Sequence, residues 1–375
     1  MYDSSLITSP DELPEALASS VSAAERELVR KFRASGLPFA VTQHFASLAG
    51  PDHDDPIRRQ FMPDPEEERE DPFALDDPLG EALYRVTPRL VHQYPDRALL
   101  LSGGSCAGFC RYCFRRVRMA AGNLNGGLNS GAYGGFIGAE ELAPVLAYLE
   151  SGPGIKEILV SGGDPLNAED GALEEIFIKL RRARPGVNIR VCSRVPITNP
   201  ARLGAKTIAL FARWRPLRIV THINHPRELA PAARQSLAAA VEAGIPVLVQ
   251  TVLLRGVNDN AETLEELFVK CLALGLSPYY LFQLDLAPGT AHFRVPLRKG
   301  LSIYSELKRR FCGNVPAFCG SASGRTNSLP AYAVDLPGGG GKILLHKGVI
   351  SGEENNGKTL LLKGPAGKLW RYPAE

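Results

Sequence analysis

RALLLSGGSCAGFCRYCFRR, residues 97–116, runs from four apolar residues into a glycine pair and then into three cysteines within eight positions. An apolar run bounded by glycine reads as a buried strand, which places the cysteines in the loop at its carboxyl end. The same order of apolar run, polar strand end and helical stretch recurs downstream. Strands are predicted at 97–103, 156–163, 188–194, 217–223, 246–252 and 278–285, with helices near 139–150, 172–183, 200–212, 230–242, 261–273 and 298–311. Repeated βα units give an α/β fold with a parallel sheet, fanned open or curled into a barrel. Both forms put their sites at the carboxyl ends of the strands. Polar residues gather there: the cysteines after the first strand, Gly162-Gly163-Asp164 after the second and Ser193-Arg194 after the third. His222, Gln250 and Asp285 end the fourth, fifth and sixth. Each alone would pass as a loop or cap residue, but all six strand ends carry one.

The flanks read differently. Residues 12–36 suggest one helix closed by Gly36 and Pro38, and MPDPEEEREDPFALDDPLG (62–80) reads as an acidic, solvated connector. The tail from 313 is glycine-rich and suggests short strands and turns, not another βα unit. The organisation expected is a helical region and acidic linker over 1–90, a barrel over 91–312 and a C-terminal segment over 313–375.

Composition narrows the function. The 375 residues carry 43 Lys+Arg against 40 Asp+Glu, a net charge of +3, and 45% are apolar. That balance argues against a scaffold held by nucleic-acid phosphates. No apolar run approaches the ~18–20 residues that span a bilayer, and the opening MYDSSLITSPDELPEAL lacks the basic and apolar regions of a secretory leader. A cytoplasmic protein with no membrane or nucleic-acid partner is expected. Seven cysteines, an odd number, favour thiols or metal ligands over a disulfide framework.

Cys106, Cys110 and Cys113 are spaced C-x3-C-x2-C. Three thiolates are one short of a closed zinc site or a fully ligated four-iron cluster. A zinc knuckle completed by His92 or another cysteine is one reading; a [4Fe–4S] cluster with one iron open to a small molecule is the other. The spacing, with Tyr112 before the last cysteine, resembles that of radical S-adenosylmethionine enzymes. In that family the open iron chelates S-adenosylmethionine and an electron cleaves it to a 5′-deoxyadenosyl radical. The turn Gly162-Gly163-Asp164-Pro165 matches the family's glycine-rich turn, which meets the methionine amino group. The resemblance implies a partial (β/α)6 barrel and a reduced electron donor such as flavodoxin or ferredoxin.

Four glycines in Pro337-Gly338-Gly339-Gly340-Gly341-Lys342 are entropically costly and need a cause. Close approach of backbone to a ligand is one; a floppy hairpin tip with a solvated lysine is the alternative. A Walker A loop is excluded because Ile343, not Ser or Thr, follows Lys342. CRYCFRR together with VDLPGGGGK is similar to the lysine 2,3-aminomutase family. DPIRRQ, YPDRALLL, THINHP, LLRGVND and HFR follow in the family's order, so the likeness covers roughly residues 55–345.

That resemblance implies an isomerase moving the amino group of L-α-lysine from C2 to C3 to give β-lysine, with a [4Fe–4S] cluster, S-adenosylmethionine and pyridoxal 5′-phosphate. Lys342 would form the Schiff base with pyridoxal phosphate and Arg97 would contact its phosphate. Gly162, Gly163, Asp164, Ser193, Arg194, His222 and Gln250 map near S-adenosylmethionine. Arg115 corresponds to the arginine gripping the substrate carboxylate, and Asp285 and Asp335 to the aspartates holding the ε-ammonium. A buried unpaired charge costs several kcal/mol, so a lysine pocket needs such partners at both ends. A homo-oligomer is also expected.

Some positions depart from the family. Gln93 stands where a second basic phosphate contact is common, and Asn260 where the bacterial enzymes have a cysteine of a zinc site. Cys312 and Cys319 suggest free or buried thiols before a second metal site, and Cys192 and Cys271 read as core. Three rivals remain: the same chemistry on another amino acid, supply of β-lysine for modifying elongation factor P, and a non-catalytic iron–sulfur protein.

Overall fold

The computed structural model describes residues 6–120, 135–314, 329–345 and 348–374. The side chain of Cys312 and all of Cys319 lie outside the described residues. After a two-residue antiparallel pair, β1 (Leu6–Ile7) and β2 (Val41–Thr42), and two strands β3 (Arg85–Thr87) and β4 (Leu90–Tyr94), the six expected strands form as β5 (Arg97–Gly103), β6 (Glu157–Gly162), β7 (Asn188–Cys192), β8 (Leu217–His222), β9 (Val247–Leu253) and β10 (Ser277–Gln283). All six pair in parallel, in sequence order.

The crossover helices bury one apolar stripe each. Leu173, Ile176, Phe177 and Leu180 of helix Asp170–Ala183, and Leu264, Leu267, Phe268 and Cys271 of helix Ala261–Ala273, follow the i, i+3, i+4, i+7 spacing that puts side chains on one face. Cys271 is therefore core, as read. The helix expected at 200–212 is shorter, Ala205–Arg213, because Pro196 and Pro200 hold the preceding chain in two short turns.

The tail corrects the expectation. After helix Leu297–Asn314, β11 (Ala331–Leu336) pairs in parallel with β10, so it completes a further βα unit. β12 (Gly341–Leu344) then returns antiparallel, with Asp335 opposite Lys342. At the other edge β3 (Arg85–Thr87) and β4 (Leu90–Tyr94) add antiparallel to β5, making ten strands.

The two ends of this sheet touch. Tyr84 Oη donates to the Gly339 carbonyl at 2.9 Å, and Gln93 Nε2 reaches the same oxygen at 3.4 Å. The Gly338 N–H donates to Pro78 O at 3.1 Å, and a Cβ on Gly80 would lie 2.5 Å from Gly339 N. Side chains and glycine backbone, not a strand ladder, bridge the seam. This accounts for the glycine run. Gly338, Gly339 and Gly341 take φ of 62°, 84° and 80°, and a Cβ on Gly340 would come within 2.6 Å of Leu336 and of Trp370. The run is neither floppy nor a bare ligand cradle; it is a docked turn.

The N-terminal region also differs. The single expected helix is two, Glu15–Ser20 and Ala23–Ser35, divided where Ser22 caps the second in a reciprocal pair with Glu25. The acidic stretch 62–80 is only in part a solvated connector: Glu66, Glu68, Glu70 and Asp76 are exposed, but Glu67 and Asp77 neutralise arginines beside the cysteines. Glu67 is buried and bonds Arg111 through two oxygens, at 2.8 and 2.5 Å, and also Arg116. Asp71 pairs with Arg294. Glu67→Ala is expected to cost about 3–5 kcal/mol, since two buried guanidinium groups lose their counter-charge. Urea unfolding checks this, and an unchanged midpoint would contradict it.

Beyond the seam, β13 (Ile350–Glu354), β14 (Thr359–Lys363) and β15 (Leu369–Pro373) form a separate antiparallel sheet. Its Leu360, Leu362 and Tyr372 join the main core. No helix among the described residues is long and apolar enough to cross a membrane.

Candidate active site

A cavity of about 360 Å³ runs along the inside of the sheet, from Arg97, the first residue of β5, and Tyr279 of β10 to the residues at the carboxyl ends of the strands. Every residue nominated from the sequence, from Arg97 to Lys342, lines it. The strand order and the docked glycine turn bring together groups that are 245 positions apart in the chain.

The cysteine loop rests on the glycine turn after β6. Gly163 N–H donates to Gly103 O and Asp164 N–H to Ser105 O, both at 2.7 Å. A Cβ on Gly162 would meet Gly103 O at 2.4 Å, and one on Gly163 would meet Ser105 O at 2.2 Å. These glycines are needed for backbone to lie against the cysteine loop, a cause not considered in the sequence. The carboxylate of Asp164 is spent within the protein: it accepts from Ser193 Oγ at 2.6 Å and from the N–H groups of Arg194, Val195 and Leu166. Asp164 and Ser193 thus tie the ends of β6 and β7 together. Arg194 Nη1 reaches Cys110 Sγ at 3.0 Å, and its Nη2 bonds Gln60 at 2.6 Å.

The donor set fits an iron–sulfur cluster. All three thiols are free and line the cavity, with a guanidinium on one sulfur to favour the thiolate. Burial, with Cys110 alongside, pushes the Cys113 thiol up to about 11. His92, the candidate fourth zinc ligand, turns away to Tyr148 Oη at 2.7 Å and does not line the cavity.

Lys342 Nζ lies 3.3 Å from Asp335 Oδ2, and 4.0 and 5.0 Å from the ring centres of Phe282 and Tyr280. Its backbone N–H donates to Tyr94 Oη at 3.2 Å, and the Tyr94 ring carries the Arg97 guanidinium at 4.3 Å. Tyr94, which the sequence did not single out, links the two groups assigned to pyridoxal phosphate. Asp285 has no hydrogen-bond donor or cation paired to its carboxylate among the described residues. Burial, with Asp335 nearby, raises it well above the usual carboxylate range.

Arg115 is less free than expected. Glu81 accepts from its Nε at 3.0 Å and Nη2 at 2.7 Å, and Glu81 also binds Arg118 at 2.7 Å. Nη1 makes only long contacts, 3.4 Å to Ser161 Oγ and 3.3 Å to Gly162 O. Glu81 orients the guanidinium and leaves that edge toward the cavity. It was missed because it follows the stretch read as solvated. Cys192 corrects another reading, since it lines the cavity and is not core. Asn260 caps helix Ala261–Ala273 by accepting from Thr263 N–H at 2.8 Å.

His222 Nε2 pairs with Gln250 Oε1 at 2.9 Å. Burial lowers the imidazole from 6.5 to about 4, so it is neutral near pH 7. As pH falls from 6.5 towards 4 the unfolded chain takes up this proton before the folded one, which costs stability. His222→Gln is therefore expected to lose less stability than the wild type over that window. Equal losses in urea titrations would contradict the burial.

The profile of the Radical SAM superfamily matches residues 100–268. The chain is 45% identical over 289 residues to a Treponema pallidum (strain Nichols) protein named provisionally as L-lysine 2,3-aminomutase, covering 77% of this chain and 75% of that one. It is 35% identical over 307 residues to L-lysine 2,3-aminomutase of Clostridium subterminale, covering 82% and 68% of the two chains. It is also 35% identical over 328 residues to L-lysine 2,3-aminomutase of Escherichia coli (strain K12), covering 87% and 92%.

Proposed function

The chain belongs to the L-lysine 2,3-aminomutase family of radical S-adenosylmethionine enzymes, and from that premise we propose that it interconverts L-α-lysine and β-lysine in the cavity described above. The observation that carries this reading is the placement of three free cysteines, Lys342 and the unpaired Asp285 on one cavity. The cofactors supply what side chains cannot: the cluster with S-adenosylmethionine removes hydrogen from an unactivated carbon, and pyridoxal phosphate lets the amino nitrogen migrate. An electron for the cluster would come from a reduced flavodoxin or ferredoxin.

The chain's own residues bind, orient and exclude. Cys106, Cys110 and Cys113 would hold the cluster and leave one corner open. Lys342 would anchor pyridoxal phosphate, with Arg97 at its phosphate. The Gln93 amide, turned to Gly339 O, makes Arg97 the stronger phosphate partner of the two. Gly162, Gly163, Ser193, Arg194, His222 and Gln250 would shape the S-adenosylmethionine site, with Asp164 holding that wall in place from behind.

Arg115 would meet the lysine carboxylate with its Nη1 edge while Glu81 keeps the guanidinium plane fixed. Asp285 would receive the ε-ammonium. Asp335, now spent on Lys342, would be shared with that ammonium. Glutamate or a neutral side chain would leave the Asp285 carboxylate buried and uncompensated, which favours lysine. Tyr112, Tyr280, Phe282 and Leu284 line the cavity with apolar surface that keeps water from reactive species.

The test is an anaerobic assay of the reconstituted full chain with a panel of amino acids. β-Lysine from lysine, with other amino acids at least about tenfold poorer in kcat/KM, is expected. Turnover of another amino acid in preference to lysine would overturn the substrate assignment.

A further inference from the structure

The sheet β13–β15 carries two aromatic residues whose contacts lead back to the cavity. Trp370 lies under the glycine turn: a Cβ on Gly340 would come within 2.6 Å of its ring, as would one on Gly364. Leu336, between Asp335 and the turn, packs at the same point, 2.6 Å from the Gly340 Cβ position. Trp370 therefore supports the turn from below, and the turn sets the register that places Lys342 opposite Asp335.

Tyr372 lies two residues further along β15 and is 1% exposed. Its Oη donates to the carbonyl of Leu284 at 3.1 Å, the peptide that leads into Asp285. Next to it, Gln283 is held by Tyr332 Oη at 2.5 Å and by its own bond to Val295 O at 2.6 Å. The chain leaving β10 towards Asp285 is thus tied by side chains from β11 and β15. One strand of the C-terminal sheet reaches both the segment that presents Lys342 and the segment that presents Asp285.

We infer that the C-terminal sheet is a positioning brace for the site, in which Trp370 fixes the glycine turn that aims Lys342 and Tyr372 fixes the backbone that aims Asp285. The inference rests on the proposed roles of those two residues. Neither aromatic residue lines the cavity, so both act through other groups and are positioning residues. The sheet adds alignment that the barrel strands do not give, because Lys342 lies on β12, an edge strand paired on one side only.

The test uses the full chain with reconstituted cluster and the variants Trp370→Leu, Trp370→Phe and Tyr372→Phe. Trp370→Leu is expected to weaken retention of pyridoxal phosphate by about tenfold or more with cluster iron unchanged, and Trp370→Phe to restore most of it. Tyr372→Phe, which deletes one hydrogen bond and no packing volume, is expected to raise the KM for lysine by about three- to tenfold while cofactor retention and kcat stay near wild type. A merely structural role would lower the unfolding temperature and leave both constants unchanged in the folded protein. If Trp370→Leu does not fold, Gly340→Ala tests the same contact from the turn and should lose cofactor in the same way.

Folded variants with wild-type cofactor affinity and wild-type KM would overturn the brace. Cofactor retention is read without turnover, so it judges Trp370 even if lysine proves not to be the substrate. Failure of the wild type to make β-lysine would instead count against the proposed function.

Discussion

Lys342→Ala is expected to abolish retention of pyridoxal phosphate and lower turnover by on the order of 10³-fold or more, while the cluster spectrum stays that of the wild type. The selectivity follows from the geometry. Lys342 sits on β12, and its contacts are Asp335, the rings of Phe282 and Tyr280, and Tyr94. None of these contacts is itself with a cysteine, and although Cys110 packs on the same apolar cluster as Phe282 and Tyr280, truncation at Lys342 keeps both rings and so leaves the loop and the turn beneath it intact. Absorbance of the purified variant, with and without added pyridoxal phosphate, together with iron content, checks both halves. A variant that keeps cofactor and activity would remove Lys342 from its role.

Asp285→Ala should lower kcat/KM for lysine by about 10²–10³-fold or more, corresponding to roughly 3–5 kcal/mol for a buried ammonium that loses its counter-charge. Asp335 cannot replace it, because the same carboxylate also faces Lys342. The raised Asp285 carboxyl adds a signed pH dependence. An ammonium needs the ionised form, so as pH falls and the group protonates, the KM for lysine should rise. In Asp285→Asn this dependence should flatten. Wild-type kcat/KM in Asp285→Ala would eliminate the ammonium pocket.

Much of the architecture was legible because parallel strands buried on both faces read as apolar runs with polar ends. β5 to β10 and their crossover helices were placed from that pattern, and with them the cavity wall from Cys106 to Asp285. The misreadings have local causes. AYAVDL is short and adjoins a glycine run, so β11 looked like tail; only its pairing with β10 reveals a further βα unit. The acidic stretch looked solvated because Arg111, Arg115 and Arg116 are 34 to 49 positions from their Glu67 and Glu81 partners, and no local pattern announces such pairing. The glycine run was noticed for the right reason, its cost, but its partners Gly80, Tyr84 and Trp370 lie in distant segments. Cys192 was assigned by hydrophobic context, which does not say which side of β7 faces the cavity.

The measurement that tests the central claim most directly is an anaerobic incubation of the reconstituted full chain with lysine carrying deuterium at C3. The account predicts β-lysine, no net loss of S-adenosylmethionine, and deuterium appearing at the 5′ carbon of the S-adenosylmethionine recovered. Absence of β-lysine, or β-lysine with no label reaching S-adenosylmethionine, would contradict it.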